Sequence, residues 1–123
     1  MKLLLEIARC PNVRKCIEKG RRSHPCAPVV GFQFAKSVDE YQVPEPWSGH
    51  IEQAPILFVS SNPSYSPIED YPIGAWPDEH IVDYFGNRFG GVRKDWTSGG
   101  VRSLQKDGTL VWQLTFRVRT EVV

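Results

Sequence analysis

The stretch Ala54 to Ser66 reads APILFVSSNPSYS and decides the fold that the sequence predicts. Residues 56–59 form a continuous apolar run, which is typical of a strand buried on both faces in a parallel sheet covered by helices. The run stops at residues 60–64, a turn-forming string in which a proline holds the preceding Asn62 in extended geometry. Because ligands of open α/β sheets bind at the carboxyl ends of the strands, Asn62 is the first candidate functional residue.

The length of 123 residues predicts one domain, residues 1–123. Within it we expect an N-terminal helical segment (1–22), a proline-rich loop that wraps the domain (23–54) and an α/β core (55–123). No stretch approaches the ~18 apolar residues that a bilayer-spanning helix needs. We therefore expect a cytoplasmic protein.

Charge is distributed unevenly along a chain whose net charge is only +1. Residues 1–36 hold eight Lys and Arg against two acids, residues 39–85 hold nine acids and no Lys or Arg, and residues 86–123 hold seven Lys and Arg against three acids. The favoured interpretation is that two basic segments fold against one acidic segment. The alternative is a basic face that binds nucleic acid.

Residues 3–19 have a helical pattern that Pro11 interrupts. Leu4, Ile7 and Ala8 fall on one helical face. Because proline breaks a helix interior, the pattern predicts either two short helices or one helix kinked at Pro11. Gly20 is a typical stop signal for this region.

Three cysteines and one histidine follow the spacing C-x5-C-x7-H-x-C, namely Cys10, Cys16, His24 and Cys26. Such ligands could hold a zinc ion or touch an iron–sulfur cluster. The spacing lacks the CxxC element of a strong metal motif. The favoured interpretation is that Cys10 and Cys16 are small buried apolar residues and His24 is a surface loop residue, with no cofactor.

Aromatic residues Tyr65, Tyr71 and Trp76 lie in the loop after the predicted strand. Such rings can stack on the bases of a nucleic acid. They can equally cover the protein's own core, and the sequence leaves both interpretations open.

The string Pro77-Asp78-Glu79 predicts the start of a helix, because proline suits the first helical position and acids complement the helix dipole. Ile81, Phe85 and Phe89 form its expected buried stripe, and Gly90-Gly91 its end. His80 lies off this stripe, so we expect it to be exposed.

Two stretches predict further strands. Val29 to Phe34 is a candidate short edge strand. From Leu110 to Val118 apolar residues alternate with polar ones after a turn at Lys106-Asp107-Gly108, which favours a strand over the helix that an i, i+4 spacing also allows. An unpaired edge at 110–118 would be a natural surface for a homodimer.

The strand-terminal Ser61-Asn62-Pro63-Ser64 and the helical Asn87-Arg88-Phe89 together resemble motifs of the uracil-DNA glycosylase superfamily, most closely its mismatch-specific and single-strand-selective branches. The resemblance covers residues 54–91. It implies an α/β/α sandwich, three layers around a short, mostly parallel central sheet. It also implies hydrolysis of the N-glycosidic bond of a flipped uracil or damaged base in DNA.

Site roles follow from this resemblance. Asn62 would position the attacking water, and Pro63 and Ser64 would shape the turn that approaches the base. The aromatic candidates for stacking on the base are Tyr65, Tyr71 and Trp76. The basic residues expected beside the DNA backbone are Arg88, Arg93 and Lys94.

The sequence departs from the family pattern in two places. Ser60-Ser61 stand where the family motif begins with glycine, and the family's second motif, similar to His-Pro-Ser or Asn-Pro-Ser, is absent after Gly91. These departures suggest a shortened version of the fold. The alternatives are an inactive member of the same fold that binds nucleotide or nucleic acid, and a small metal-binding module built on the Cys/His cluster.

Overall fold

The structure, a computed structural model, describes residues 2–20, 23–59, 66–88, 97–98 and 102–112. Four α-helices occur in these parts of the chain: α1 (Lys2–Ala8), α2 (Pro11–Lys19), α3 (Ala27–Val30) and α4 (Asp78–Asn87). A 3-10 helix, Gly31–Gln33, continues α3. Three short strands follow α4: β1 (Thr97–Ser98), β2 (Arg102–Leu104) and β3 (Leu110–Trp112).

The strands form an antiparallel sheet in the order β1-β2-β3. Thr97 pairs with Ser103, and Ser103 pairs in turn with Val111. The predicted turn before β3 is confirmed, since Gly108 has a φ of 86° and its N–H donates to the carbonyl of Gln105 at 2.9 Å. The predicted strand from residue 110 is confirmed for Leu110–Trp112, and its continuation to residue 118 lies outside the described residues.

The predicted α/β/α sandwich around a mostly parallel sheet is wrong, because the described strands are few, short and antiparallel. The predicted central strand is also wrong. Residues 56–59 form no strand, and their side chains are 65%, 63%, 74% and 86% exposed. A continuous apolar run becomes a buried strand only when neighbouring strands and helices cover it, and these side chains are instead mostly exposed.

The predicted edge strand from Val29 to Phe34 is wrong as well, because this stretch is helical. Pro28 occupies the first turn of α3, where its missing N–H costs nothing. The turn then ends at Phe34, whose φ of 54° is left-handed. Local helix geometry set by the proline overrides the strand preference of the valines.

The sequence predicted either two short N-terminal helices or one helix kinked at Pro11, and the structure has two helices. Pro11 stands at the start of α2, and Gly20, with a φ of 137°, follows its last residue.

In α4, Asp78 and Glu79 occupy the first turn as predicted. Ile81 and Phe85 are fully buried, and Phe89 lies outside the described residues.

The described residues form two hydrophobic clusters. The larger packs α1 against α4 and comprises Leu4, Ala8, Val43, Ile81, Tyr84 and Phe85. The smaller packs α2 against α3 and comprises Cys16, Val30, Ala35 and Tyr41. In these parts of the chain, no helix has the length and apolar character needed to cross a bilayer.

Arg9, just after α1, joins this helix to the start of α4. Its guanidinium donates to the carbonyls of Gly74 and Trp76 at 2.5 and 2.6 Å. It also binds the Oδ1 atom of Asp78 through Nε at 3.1 Å and Nη2 at 2.8 Å. A planar guanidinium with several donors suits such a set of acceptors, so this one side chain fixes the angle between the two helices.

Gly74 lies where two loop segments touch. A β carbon at this position would stand 1.9 Å from the carbonyl oxygen of Val38 and 3.2 Å from the Cα atom of Asp39. Both neighbours are backbone atoms, which cannot swing aside as a side chain can.

We predict that Gly74→Ala lowers the free energy of unfolding by at least about 2 kcal/mol, because the loops must separate to admit the methyl group. Urea denaturation followed by circular dichroism measures this. Gly31→Ala is the matched control, since its β carbon meets nothing within 4 Å and its φ of −63° suits alanine. We expect the control to be neutral or stabilising by up to about 1 kcal/mol. Equal destabilisation by both variants would contradict the prediction.

Candidate functional site

The described residues enclose a cleft of about 630 Å³ between α1, α4 and the segment 47–53. This volume is in the range of small-molecule sites in proteins. The cleft is lined by Leu4, Leu5, Trp47, residues 49–53, Asp78, Glu79, Val82, Asp83, Gly86 and Asn87.

The segment 49–54 is held against the end of α4 by backbone hydrogen bonds. The N–H of Gly49 donates to the carbonyl of Phe85 at 2.7 Å. The carbonyl of His50 accepts from the N–H groups of Gln53 and Ala54 at 3.1 and 3.0 Å, which closes a turn. Gly49 has a φ of 105°, a conformation that glycine adopts without strain. The turn therefore places His50 on the cleft wall.

One part of the cleft wall is apolar. Leu4 and Leu5 come from α1, and Val82 comes from α4. Trp47 packs against the larger hydrophobic cluster while it also lines the cleft. An aromatic ring anchored in this way offers a rigid surface for an apolar ligand group.

The charged part of the cleft wall is acidic. The lining includes four carboxylates, those of Glu52, Asp78, Glu79 and Asp83, and no Lys or Arg. Asp78 is paired with Arg9 at 2.8 Å. No ion pair joins Glu52 or Glu79 to any described residue. Among the described residues, the charged side chains that line the cleft are therefore all acidic, which favours a negative potential there.

Three polar side chains of the cleft are joined in a row. Asn87 Nδ2 lies 2.6 Å from Asp83 Oδ1, one helical turn earlier on α4. Asn87 Oδ1 lies 3.0 Å from His50 Nε2. Neither His50 nor Asp83 was a candidate from the sequence. The i, i+4 spacing of Asp83 and Asn87 is a readable signal, but nothing local connects residue 50 to residue 87.

The central residues of the predicted site lie outside the described residues. These are Asn62, Pro63, Ser64 and Tyr65, together with Arg93 and Lys94. Their predicted roles stay predictions.

Tyr71 and Trp76, the other two aromatic candidates, pack on the larger hydrophobic cluster. The Tyr71 ring meets Tyr84 and Phe85 edge to face at 5.6 and 5.7 Å between centroids. Burial raises the pKa of Tyr71 well above its ordinary value. Of the two open interpretations for these rings, the structure has them covering the core.

Arg88, predicted to lie beside DNA, is buried at 5% exposure. Its Nη2 donates to Glu69 Oε1, and its Nη1 lies 3.8 Å from Glu45 Oε2. Its Cζ stands 5.5 and 5.0 Å from the ring centroids of Tyr71 and Tyr84. Burial by itself lowers the pKa of Arg88, but the neighbouring Tyr84, Glu69 and Glu45 raise it overall, so the group stays charged.

The Cys/His cluster has internal roles. Cys16 is fully buried in the smaller cluster, as expected, whereas Cys10, also expected to be buried, is only partly so. Cys26 packs against the smaller cluster. His24 Nδ1 accepts from the N–H of Cys26 at 3.1 Å. All three cysteines are free thiols, and among the described residues no group of His, Cys, Asp and Glu is placed to hold a metal ion.

Protein-family models, curated proteins and solved structures were compared with this chain, and none of them matches it. The interpretation of the cleft therefore rests on its own geometry and chemistry.

We predict that Arg88→Met lowers the free energy of unfolding by about 3–5 kcal/mol, because it leaves Glu69 and Glu45 without their cation inside the protein. Urea denaturation measures the loss. Lys2→Met is the matched control, since Lys2 and Glu6 form an exposed pair at 3.9 Å on α1. The control should change stability by less than about 0.5 kcal/mol. A cost for Arg88→Met no larger than that of the control would refute the structural role of Arg88.

Proposed function

We propose that this protein binds a small organic cation, a molecule with a protonated amine and an apolar body, in the cleft between α1, α4 and the segment 47–53. The observation that carries this proposal is the composition of the cleft wall. Four carboxylates and no Lys or Arg line it, next to an anchored tryptophan. Carboxylates attract a cation, and an aromatic face adds to that attraction when the cation lies over it.

The apolar part of the wall defines the rest of the ligand. Leu4, Leu5 and Val82 would contact a hydrocarbon or aromatic body. Burying apolar surface contributes about 25 cal/mol per Å² to the free energy of binding. A small ion without an apolar body has no such surface to bury. The ligand is therefore amphipathic and of drug-like size.

The same charges disfavour a phosphate-bearing ligand in this cleft. A nucleotide or DNA strand would bring its negative charge towards Glu52 and Glu79, which have no ion-pair partner among the described residues. Repulsion between like charges opposes such binding. The interpretation as a nucleotide-binding protein therefore gains no support from this cleft.

Isothermal titration calorimetry with 2-phenylethylamine and with 3-phenylpropanoate tests the proposal. The two probes share an aromatic body and differ in the sign of their charge. We expect the amine to bind at least about tenfold more tightly, a difference of roughly 1.4 kcal/mol, and the preference to shrink as salt is added. Equal affinity for both probes, or tighter binding of the carboxylate, would overturn the proposal.

The double variant Glu52→Gln/Glu79→Gln locates the site of this binding. It removes two cleft charges without touching the Arg9–Asp78 pair, so we expect about tenfold weaker binding of the amine. Glu18→Gln is the matched control, because Glu18 is exposed on α2 and does not line the cleft. An equal loss of affinity in the control would place the bound amine elsewhere.

A second candidate function rests on the sequence motifs. The coincidence of Ser61-Asn62-Pro63-Ser64 with Asn87-Arg88-Phe89 supports a DNA N-glycosylase in which Asn62 positions water. DNA would then be the partner, and Arg93 and Lys94 would lie beside its backbone. Two members of the Asn87-Arg88-Phe89 motif, Asn87 and Arg88, have the internal contacts described above, which account for them without DNA.

Cleavage of uracil-containing single- and double-stranded oligonucleotides by the unmodified protein and by Asn62→Ala tests this second candidate. Base release that falls at least about a hundredfold in Asn62→Ala would support it. Negligible release by both proteins would exclude it.

We also propose a cytoplasmic location, because three free thiols suit a reducing compartment. The homodimer through residues 110–118 stays a prediction.

A further inference from the structure

Asp83 fixes the orientation of the Asn87 amide. An ionised carboxylate only accepts hydrogen bonds, and the amide group closest to Asp83 Oδ1 is Nδ2, at 2.6 Å. Turning the amide over would bring its oxygen against the carboxylate oxygen, which repels it. Asn87 therefore presents its NH₂ group to Asp83 and its oxygen to the other side.

The oxygen of Asn87 in turn fixes the proton on His50. Asn87 Oδ1 lies 3.0 Å from His50 Nε2, and an amide oxygen can only accept. The proton of the neutral imidazole therefore lies on Nε2. In this tautomer Nδ1 carries a lone pair and accepts hydrogen bonds.

The second ring nitrogen of His50 is left for a ligand. His50 lines the cleft, and Nδ1 makes no hydrogen bond to any described residue. The ring lies beside Gly86, with Cε1 at 4.0 Å from the position that a β carbon on Gly86 would take. Gly86 also lines the cleft, so the free edge of the imidazole is close to where a bound molecule would lie.

We infer that the cleft selects ammonium ions that carry N–H groups, primary or secondary amines, over quaternary ones, with His50 Nδ1 accepting the hydrogen bond. This inference rests on the proposed function, since it names the class of cation that the same cleft takes. A primary ammonium ion satisfies both the carboxylates and the imidazole lone pair. A quaternary ammonium ion has the same charge but no N–H, so it cannot form this charge-assisted hydrogen bond to the solvent-exposed His50.

His50 is thus a specificity residue, and Asp83 and Asn87 are its positioning residues. Neither positioning residue needs to touch the ligand. Their effect is to hold the imidazole in the one tautomer that accepts at Nδ1, as the partners of functional histidines do elsewhere.

Calorimetry with 2-phenylethylamine and its N,N,N-trimethyl derivative tests the inference, at a pH above the ordinary titration range of imidazole. We expect the primary amine to bind about tenfold more tightly to the unmodified protein. In His50→Phe we expect the two probes to bind within about twofold of each other, because the acceptor is gone while an aromatic ring remains. His80→Gln is the matched control, since His80 is exposed on α4 outside the cleft, and it should keep the tenfold preference.

The outcomes separate this inference from the proposed function. Equal binding of both amines by the unmodified protein would overturn the selection by His50 and leave the cation site in place. Failure of both amines to bind would overturn the cation site and this inference with it. A preference that persists in His50→Phe would show that another group selects the amine.

A second readout needs no variant of uncertain folding. Long-range ¹H–¹⁵N spectra report which nitrogen of each histidine ring is protonated. We expect His50 to carry its proton on Nε2 in the free protein, and its Nδ1 resonance to shift with 2-phenylethylamine and not with the trimethyl derivative. A proton on Nδ1 in the free protein would overturn the inference.

Discussion

The guanidinium of Arg9 is the contact on which the cleft depends. It lies immediately after α1 and binds two carbonyls and a carboxylate at the start of α4. Leu4 and Leu5 on α1 and Val82 on α4 line the same cleft, so the distance between them follows from this clamp. Hydrophobic packing also holds α1 against α4, but packing alone is non-directional. The directional hydrogen bonds of Arg9 select one arrangement of the two helices.

The helices could be predicted from the sequence because their signals are local. Pro11 starts α2, Gly20 follows it, and the acids of the first turn mark α4. Whether residues 56–59 form a strand could not be predicted from local signals. An apolar run indicates only that a segment prefers burial. Whether other strands pair with it depends on distant parts of the chain. The strand prediction for residues 29–34 was wrong for another reason. Pro28 favours a helical turn there, although the valines prefer strands.

The candidate site shows the same division between local and distant information. Asp83 and Asn87 could be paired by their spacing on a helix. The acidic middle segment was expected to be neutralised by the basic segments, so its carboxylates on the cleft wall were not anticipated. His50 and Trp47 reach the cleft through a loop, and no periodicity places loop residues against a helix. The motif Asn87-Arg88 illustrates the converse. Arg88 was predicted to lie beside DNA, yet both side chains have partners inside the protein, Asp83 and His50 for Asn87 and Glu45 and Glu69 for Arg88.

The exposed run Ile56-Leu57-Phe58-Val59 bears on how this protein associates in concentrated solution. Uncharged apolar segments of high β propensity stack between chains into cross-β assemblies when solvent can reach them. Pro55 acts as a gatekeeper at the start of the run, since it cannot donate to a growing ladder. A net charge of +1 gives little repulsion between molecules. Substituting a charged residue within this run would therefore reduce self-association by both routes, since it interrupts the apolar segment and adds charge to the molecule.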